Sequence, residues 1–219
     1  MKRFLHSNGL ALAMFTVFAV TIIAMSIAGW KANNDELTEH RQPELTYTAY
    51  ISSGSFIEAV FENWESEFLQ MWALVILTIF LYQKGSADSK PMRGKAPQDT
   101  SSRYSIIRSN WGNKGRAVRH AVYSHSLGLA LLLLFIVSFS LHAAGGVKAY
   151  NSEAEQHGQP SMTVMEYVVS PQFWFESFQN WQSEFLAVGT LLVLSIYLRE
   201  RGSQQSKPVG KAFNHTTGG

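Results

Sequence analysis

The stretch FENWESEFL, residues 61–69, returns as FQNWQSEFL at residues 178–186, with seven of its nine positions identical. Each copy leads into an apolar run, residues 68–83 in the first half of the chain and residues 185–198 in the second. Self-similarity over so long a period is typical of a duplicated structural unit. We therefore predict that the chain folds as two equivalent halves.

The similarity between the halves extends beyond this motif and defines the predicted domains. Each half reads as an apolar helix, a polar loop, an amphipathic lead-in, a second helix and a basic tail. Three further pairs of segments match: HSNGLAL (6–12) with HSLGLAL (125–131), EHRQP (39–43) with QHGQP (156–160), and GSADSKP (85–91) with GSQQSKP (202–208). The predicted domains are a first helical hairpin repeat at 1–84, a basic cytoplasmic linker at 85–120, a second helical hairpin repeat at 121–201, and a disordered cytoplasmic tail at 202–219.

Four apolar segments predict an all-α integral membrane protein with four transmembrane helices. Residues 9–28 contain no charge, and residues 121–147 contain none if their two histidines are neutral. About 20 helical residues cross a hydrocarbon core of about 30 Å, and the two shorter runs extend backwards through the repeated motif to reach that length. The first apolar segment is longer than the core of a signal peptide, so we expect it to remain as a membrane helix.

The basic residues predict the orientation of these helices. Of 18 Lys and Arg residues, all but Lys31, Arg41 and Lys148 lie at the N-terminus, in the linker from Lys84 onward, or in the tail from Arg199. Short loops rich in Lys and Arg stay in the cytoplasm, so both termini and the linker are predicted to be cytoplasmic. Two hairpins that enter from the same side are parallel repeats, related by a pseudo-two-fold axis along the membrane normal.

The sequence contains none of the common signals for catalysis or cofactor binding. It has no cysteine, which excludes disulfides and thiolate metal sites. It also lacks G-x-S-x-G, H-E-x-x-H and phosphate-binding glycine loops. His6 matches His125 and His40 matches His157, but their spacing is not that of a metal site. We predict a protein that is not an enzyme, without catalytic residues, metal ligands or a bound cofactor.

The repeated motif predicts a small polar site near the outer membrane boundary. Counting back about 20 residues from the inner helix ends puts Glu67 and Glu184 about one turn inside the hydrocarbon. Asn63 and Asn180 precede them by four residues and lie on the same helix face. The predicted flanking aromatic residues are Trp64, Phe68, Trp181 and Phe185. Glu58, Glu62 and Glu65 fall elsewhere on the helical wheel.

Two interpretations of this polar site remain open. If the two repeats bring Glu67 and Glu184 together, the carboxylates would share a proton, bind a cation or pair with a donor, because two close negative charges repel. In the alternative, the glutamates accept hydrogen bonds from Trp, Ser or loop N–H groups and fix the outer loop to the helix bundle. The first interpretation is functional and the second is structural.

With FENWESEFLQMWA, EHRQP and FQNWQSEFLAVG in place, the chain resembles an uncharacterised family of bacterial inner-membrane proteins with a domain of unknown function. The resemblance covers nearly the whole chain and implies a multi-pass protein of the bacterial inner membrane, but no activity. We expect a non-enzymatic structural or accessory envelope protein. The alternative is a small transporter or channel for a proton, cation or cationic ligand. The expected partners are the lipid bilayer and another membrane protein or a second copy, and not nucleic acid.

Overall fold

A computed structural model describes residues 2–92, 96–99 and 114–212, and these residues form helices and turns without a β-strand. The all-helical fold class predicted from the sequence is confirmed. Within the described residues the α-helices are α1 (Lys2–Glu39), α2 (Tyr47–Ile51), α3 (Gly54–Phe80), α4 (Lys114–Ser124), α5 (Ser126–Gln156), α6 (Val164–Val168) and α7 (Pro171–Tyr197), with a short 3-10 helix at Pro97–Asp99. Much of the predicted linker, 85–120, lies outside the described residues.

Helices α1 and α5 are long and apolar enough to cross a membrane. Their qualifying segments are Phe4–Glu39 and Ser126–Gln156, with mean hydropathies of 2.4 and 2.3 over the most apolar window. Only 6% and 17% of these windows is buried within the protein, whereas the core helix of a soluble protein buries its apolar side chains. The chain therefore has two candidate membrane spans, whose apolar surfaces are largely exposed.

Helices α3 and α7 begin in the same way, because each follows a serine cap. The hydroxyl of Ser53 accepts a hydrogen bond from the Phe56 backbone N–H at 3.2 Å, and that of Ser170 accepts one from Phe173 at 3.3 Å. Such a cap satisfies an N–H group that has no partner within the first turn. Both helices have 27 residues, about 40 Å at 1.5 Å per residue. The sequence predicts these helices at about 55–83, with Ser53 or Ser55 as the cap, and at about 172–199 after Ser170-Pro171. Both start within about one residue of the predicted positions and end two to three residues earlier.

The chain divides into two compact units, which are described separately below. The first unit comprises Met1–Phe61 and Ser140–Phe173, and the second comprises Glu62–Phe139 and Trp174–Gly219. The first unit contains the loops that follow the two long helices, at 40–46 and 157–163. The second unit contains both copies of the repeated motif except Phe61, the first residue of the first copy.

In the first unit the same asparagine clamp closes both loops. The side-chain amide of Asn34 donates to the Leu45 carbonyl and its oxygen accepts from the Leu45 N–H, both at 3.0 Å. Asn151 makes the corresponding pair of bonds to Met162, at 2.9 and 2.7 Å. Because each clamp satisfies both backbone groups of one residue, the chain is fixed where it leaves the long helix and starts the next short one.

A threonine then caps each short helix. Thr46 accepts from the Ala49 N–H ahead of α2, and Thr163 accepts from the Glu166 N–H ahead of α6. At α6 the bonding is reciprocal, since Glu166 accepts from the Thr163 backbone N–H and hydroxyl, which makes a capping box. Both hydrogen bonds lower the pKa of Glu166 because they favour its charged form, and the bond from the backbone N–H has the larger effect.

Each short helix packs a buried tyrosine against a glycine of the preceding long helix. Tyr50 packs on Gly29, and Tyr167 packs on Gly146. A Cβ atom added to either glycine would overlap the tyrosine hydroxyl. These two glycines are thus required by close packing and not by an unusual backbone conformation.

In the second unit two matching turns follow α3 and α7. Gly85 and Gly202 adopt φ values of 86° and 87°, in the left-handed region that favours glycine. The hydroxyls of Ser89 and Ser206 accept from backbone N–H groups six residues earlier, at 2.8 and 2.9 Å. Lys207 is 1% exposed, and its desolvation lowers its pKa. A turn therefore follows α7, whereas the disordered cytoplasmic tail at 202–219 stays a prediction, and residues 213–219 lie outside the described part.

We expect Gly146→Ala to destabilise the protein by about 1–3 kcal/mol, the usual cost of overpacking. The new methyl group would lie only 2.7 Å from Cζ of Tyr167, a residue that is 1% exposed. The measurement is the midpoint of thermal unfolding in detergent. Gly9→Ala is the matched control, since a Cβ at Gly9 meets no atom within 4 Å and alanine favours a helix. An unchanged midpoint for Gly146→Ala would contradict the packing described here.

Candidate functional site

Three glutamates of α3 form the site, whereas the sequence predicts it at Glu67 and Glu184. Glu58, Glu62 and Glu65 are spaced i, i+4 and i+7, which puts them on one face of the helix. Each contacts a residue from the second half of the chain. The contact of Glu58 lies in the first unit, and those of Glu62 and Glu65 lie in the second.

In the first unit the half-buried Glu58 lies beside a buried phenol and a buried imidazole. The Tyr167 hydroxyl donates to Oε1 of Glu58 at 3.0 Å. A ligand atom of His142 lies within 4.8 Å of one from Glu58, and His142 is fully buried, with its ring 4.7 Å from that of Phe173. A carboxylate and an imidazole at this distance can share a proton or act as ligands to a transition metal.

Close backbone packing brings His142 near Glu58. A Cβ added to Gly145 would lie 2.6 Å from the backbone nitrogen of Glu58. Helix α5 therefore approaches α3 without an intervening side chain at this point, as small residues allow in membrane proteins. His142 lies one turn earlier on α5 and reaches the carboxylate.

In the second unit Glu62 and Glu65 accept hydrogen bonds from consecutive residues of α7. The Asn180 amide donates to Oε1 of Glu62, and the Trp181 indole N–H donates to Oε1 of Glu65 at 2.9 Å. Glu65 is fully buried. A buried carboxylate needs such donors, because removing it from water without compensation costs several kcal/mol.

An aromatic cluster surrounds the donor to Glu65. The Trp181 ring lies 5.5 Å from Phe178, 6.2 Å from Trp174 and 6.4 Å from Phe135, measured between centroids, and all three contacts are edge-on. These distances fall within the preferred range for aromatic pairs. The rings hold the indole in one orientation and lower the local dielectric around its hydrogen bond to Glu65.

The structure brings only part of the predicted polar site together. Asn63 and Glu67 are exposed, whereas Asn180 and Glu184 are half-buried. Glu67 and Glu184 lie close enough for their carboxylates to repel each other. Asn180 donates to Glu62 and to the Glu176 carbonyl, the latter at 3.3 Å.

The predicted flanking aromatic residues have different surroundings. Trp64 and Phe68 are half-buried on α3, and Trp181 belongs to the aromatic cluster. Phe185 is 43% exposed. Of these four, Trp181 donates the hydrogen bond to Glu65.

A difference between the two copies of the motif marks the site. Glu62 and Glu65 correspond to Gln179 and Gln182, the two substitutions between the copies. Positions that differ inside an otherwise retained motif can carry a task specific to one half. In this chain they carry the two carboxylates that bond to Asn180 and Trp181, so this difference was the signal that could have identified them.

The matched histidines of the loops also meet within the first unit. The rings of His40 and His157 lie 6.3 Å apart at 76°. Both residues are exposed. His6 and His125 are exposed as well, so neither pair has the buried, oriented environment of a structural metal site. The prediction that no cofactor binds remains a prediction.

The chain belongs to the family described as Domain of unknown function (DUF6766), which matches residues 1–219. No curated protein matches the chain, and no solved structure matches it either. The family assignment agrees with the resemblance noted from the sequence and assigns no activity.

We expect Trp181→Phe to destabilise the protein by about 1–3 kcal/mol, because it removes a hydrogen-bond donor from a fully buried carboxylate. Glu65→Gln should weaken the same bond, since a neutral acceptor replaces a charged one. A double-mutant cycle of these two changes, read from denaturant unfolding in detergent, should give a coupling free energy of about 0.6 kcal/mol or more. Strict additivity of the two effects would show that the bond contributes nothing to stability.

Proposed function

We propose that this DUF6766 family member is a multi-pass protein of the bacterial inner membrane that acts as a non-enzymatic structural or accessory component of the envelope. The observation that carries the proposal is the exposure of α1 and α5. Leu10 on α1 is 78% exposed and Phe15 is 71% exposed. Apolar surface on this scale requires lipid or a protein partner to cover it.

Four spans, rather than two, are supported by the lengths and the matching ends of α3 and α7. Each helix is long enough to cross about 30 Å of hydrocarbon. Each is preceded by a loop with an asparagine clamp and followed by a glycine turn. If α3 and α7 return through the membrane, both termini and both glycine turns lie in the cytoplasm, as the basic residues predict.

The parallel arrangement of two hairpins is supported by contacts between equivalent residues. His40 contacts His157 in the first unit, and Glu67 lies near Glu184 in the second. Residues that occupy the same position in two repeats approach each other only near the axis that relates the repeats. A two-fold axis along the membrane normal accounts for both contacts.

A structural role is supported by the way the protein uses its own polar groups. The three α3 glutamates accept hydrogen bonds from Tyr167, Asn180 and Trp181. All three donors come from the second half of the chain, so the acids fasten one half to the other within each unit. This is the structural interpretation of the polar motif, with the carboxylates shifted from Glu67 to its neighbours on the helix.

The absence of cysteine provides a direct test of the four-span topology. Single cysteines at Thr48 and Ala87, on either side of α3, are each the only thiol in the chain. In intact cells a membrane-impermeant maleimide should label Thr48→Cys and should label Ala87→Cys only after permeabilisation. Ser161→Cys and Gln204→Cys on either side of α7 should repeat this pattern.

Equal labelling of Thr48→Cys and Ala87→Cys in intact cells would show that α3 does not cross, and it would overturn the four-span topology. Purification in mild detergent tests the accessory role separately. A protein that interacts with neither a second copy nor another membrane protein would contradict that role.

The alternative, a small transporter or channel, is favoured by the proximity of Glu67 and Glu184, whose negative charges repel each other. Two acids kept close together are suited to hold a proton or cation between them. If they form the pathway, Glu67→Gln with Glu184→Gln should abolish proton or cation flux into proteoliposomes, measured with a dye. Glu36→Gln, at an exposed acid of α1, is the control and should leave flux unchanged. Flux that persists in the double variant would exclude these acids from the pathway.

A further inference from the structure

A groove of about 440 Å³ lies in the second unit between α3 and α7. Each helix lines it with residues spaced i, i+3, i+4 and i+7, the pattern of a single helix face. These residues are Leu74, Leu77, Thr78 and Leu81 on one side and Phe185, Val188, Gly189 and Leu192 on the other. The volume lies within the range typical of small-molecule sites.

Gly189 keeps the groove open. A Cβ atom added to Gly189 would meet no atom within 4 Å, so this glycine is not required by tight packing. The equivalent position in the first half of the chain is Trp72. An indole at position 189 would project into the groove, and the space therefore exists because the two halves differ at this position.

One end of the groove is polar and carries an acid. Tyr82, Gln83, Asp88 and Ser89 line this end, and Asp88 is the only charged side chain among the described lining residues. The turn is held by the Gln83 backbone N–H, which donates to the Ser89 hydroxyl at 2.8 Å. The Asp88 side chain is exposed at this end of the groove, so its carboxylate is accessible to a cationic group.

We propose that this groove binds a single-chain amphiphile with an ammonium head group. The apolar chain lies along the leucines of α3 and the facing residues of α7, and the ammonium group pairs with Asp88. The exposed ring of Tyr82 lines the same end and adds a cation–π contact.

The chemistry of the lining selects this ligand over other amphiphiles. An anionic head group would face the Asp88 carboxylate without a cationic partner among the described lining residues. A phospholipid would also have to place its phosphate there, which the same lining disfavours. A simple alkylammonium has an apolar chain and one positive charge, and the groove complements both.

The test uses the full chain in a non-ionic detergent, with dodecyltrimethylammonium and dodecanesulfonate as probes of equal chain length below their micellar concentrations. Binding is measured by native mass spectrometry and by the shift in the unfolding midpoint. The ammonium probe should bind as a single equivalent, about tenfold or more tightly than the sulfonate. Lysophosphatidylethanolamine, which carries an ammonium group and a phosphate, should bind more weakly than the simple ammonium.

Two variants test separately the part of the groove that binds the apolar chain of the amphiphile and the part that binds its head group. Gly189→Trp, which fills the groove with the residue of the other half, should reduce binding of the ammonium probe about tenfold or more. Asp88→Asn should remove the preference for ammonium over sulfonate while the chain still binds. Leu191→Trp is the size-matched control, because Leu191 is 48% exposed and does not line the groove.

Equal binding of ammonium and sulfonate by the unaltered chain would overturn the proposal, as would tighter binding of lysophosphatidylethanolamine than of the simple ammonium. If Gly189→Trp does not fold, Asp88→Asn decides by itself. A preference for ammonium that survives in Asp88→Asn would show that this acid is not the head-group site.

Discussion

The structure depends on the need to satisfy carboxylates that lie away from water on α3. Glu65 is fully buried, and a charge in such a position is tolerated only when donors surround it. The Trp181 indole supplies one donor and is itself held by three aromatic rings. The position of α7 in the second unit thus follows from a polar requirement as well as from apolar packing, and the aromatic residues of the repeated motif serve that requirement.

The two halves share the same structural contacts but differ in the side chains that form the site and the groove. Asparagine clamps, threonine caps, tyrosine–glycine contacts and glycine turns occur in matching places, with similar hydrogen-bond distances. The differences lie elsewhere: glutamates at 62 and 65 where the other half has glutamines, and a glycine at 189 where the other half has a tryptophan. The glutamates supply one half-buried and one buried acid, and the glycine opens a groove. Features that maintain the fold are duplicated, and features that create a site are not.

The sequence predicted much of this fold because its signals are local. Serine before Phe56 and serine-proline before Gln172 indicated where α3 and α7 begin, and the uncharged run at 9–28 identified an apolar helix. The turn after α7 is less evident from the sequence, because the composition around Lys207 is that of a solvated tail. The burial of Lys207 depends on packing within the second unit, which composition does not report.

The candidate site was predicted one helix face away from where it lies. Counting residues to the expected membrane boundary selected Glu67, which the structure leaves exposed. Depth along a helix follows from sequence, but the side that faces a neighbour does not, because it depends on which helix packs there. Glu65 lies only two residues earlier, yet the helix turns about 200° over two residues and its carboxylate points to Trp181 instead.

Asp88 and Gln205 occupy equivalent positions in the two halves. Their contact shows why it matters that the two hairpins are joined in one polypeptide. With the Gln205 amide nitrogen facing the acid, it lies 3.2 Å from Oδ2 of Asp88. Two separate identical hairpins would place aspartate against aspartate at this point, and the two negative charges would push the subunits apart. Joining the hairpins in one polypeptide lets one side become an amide, so the single chain can form an unequal pair that a symmetric dimer is unable to make.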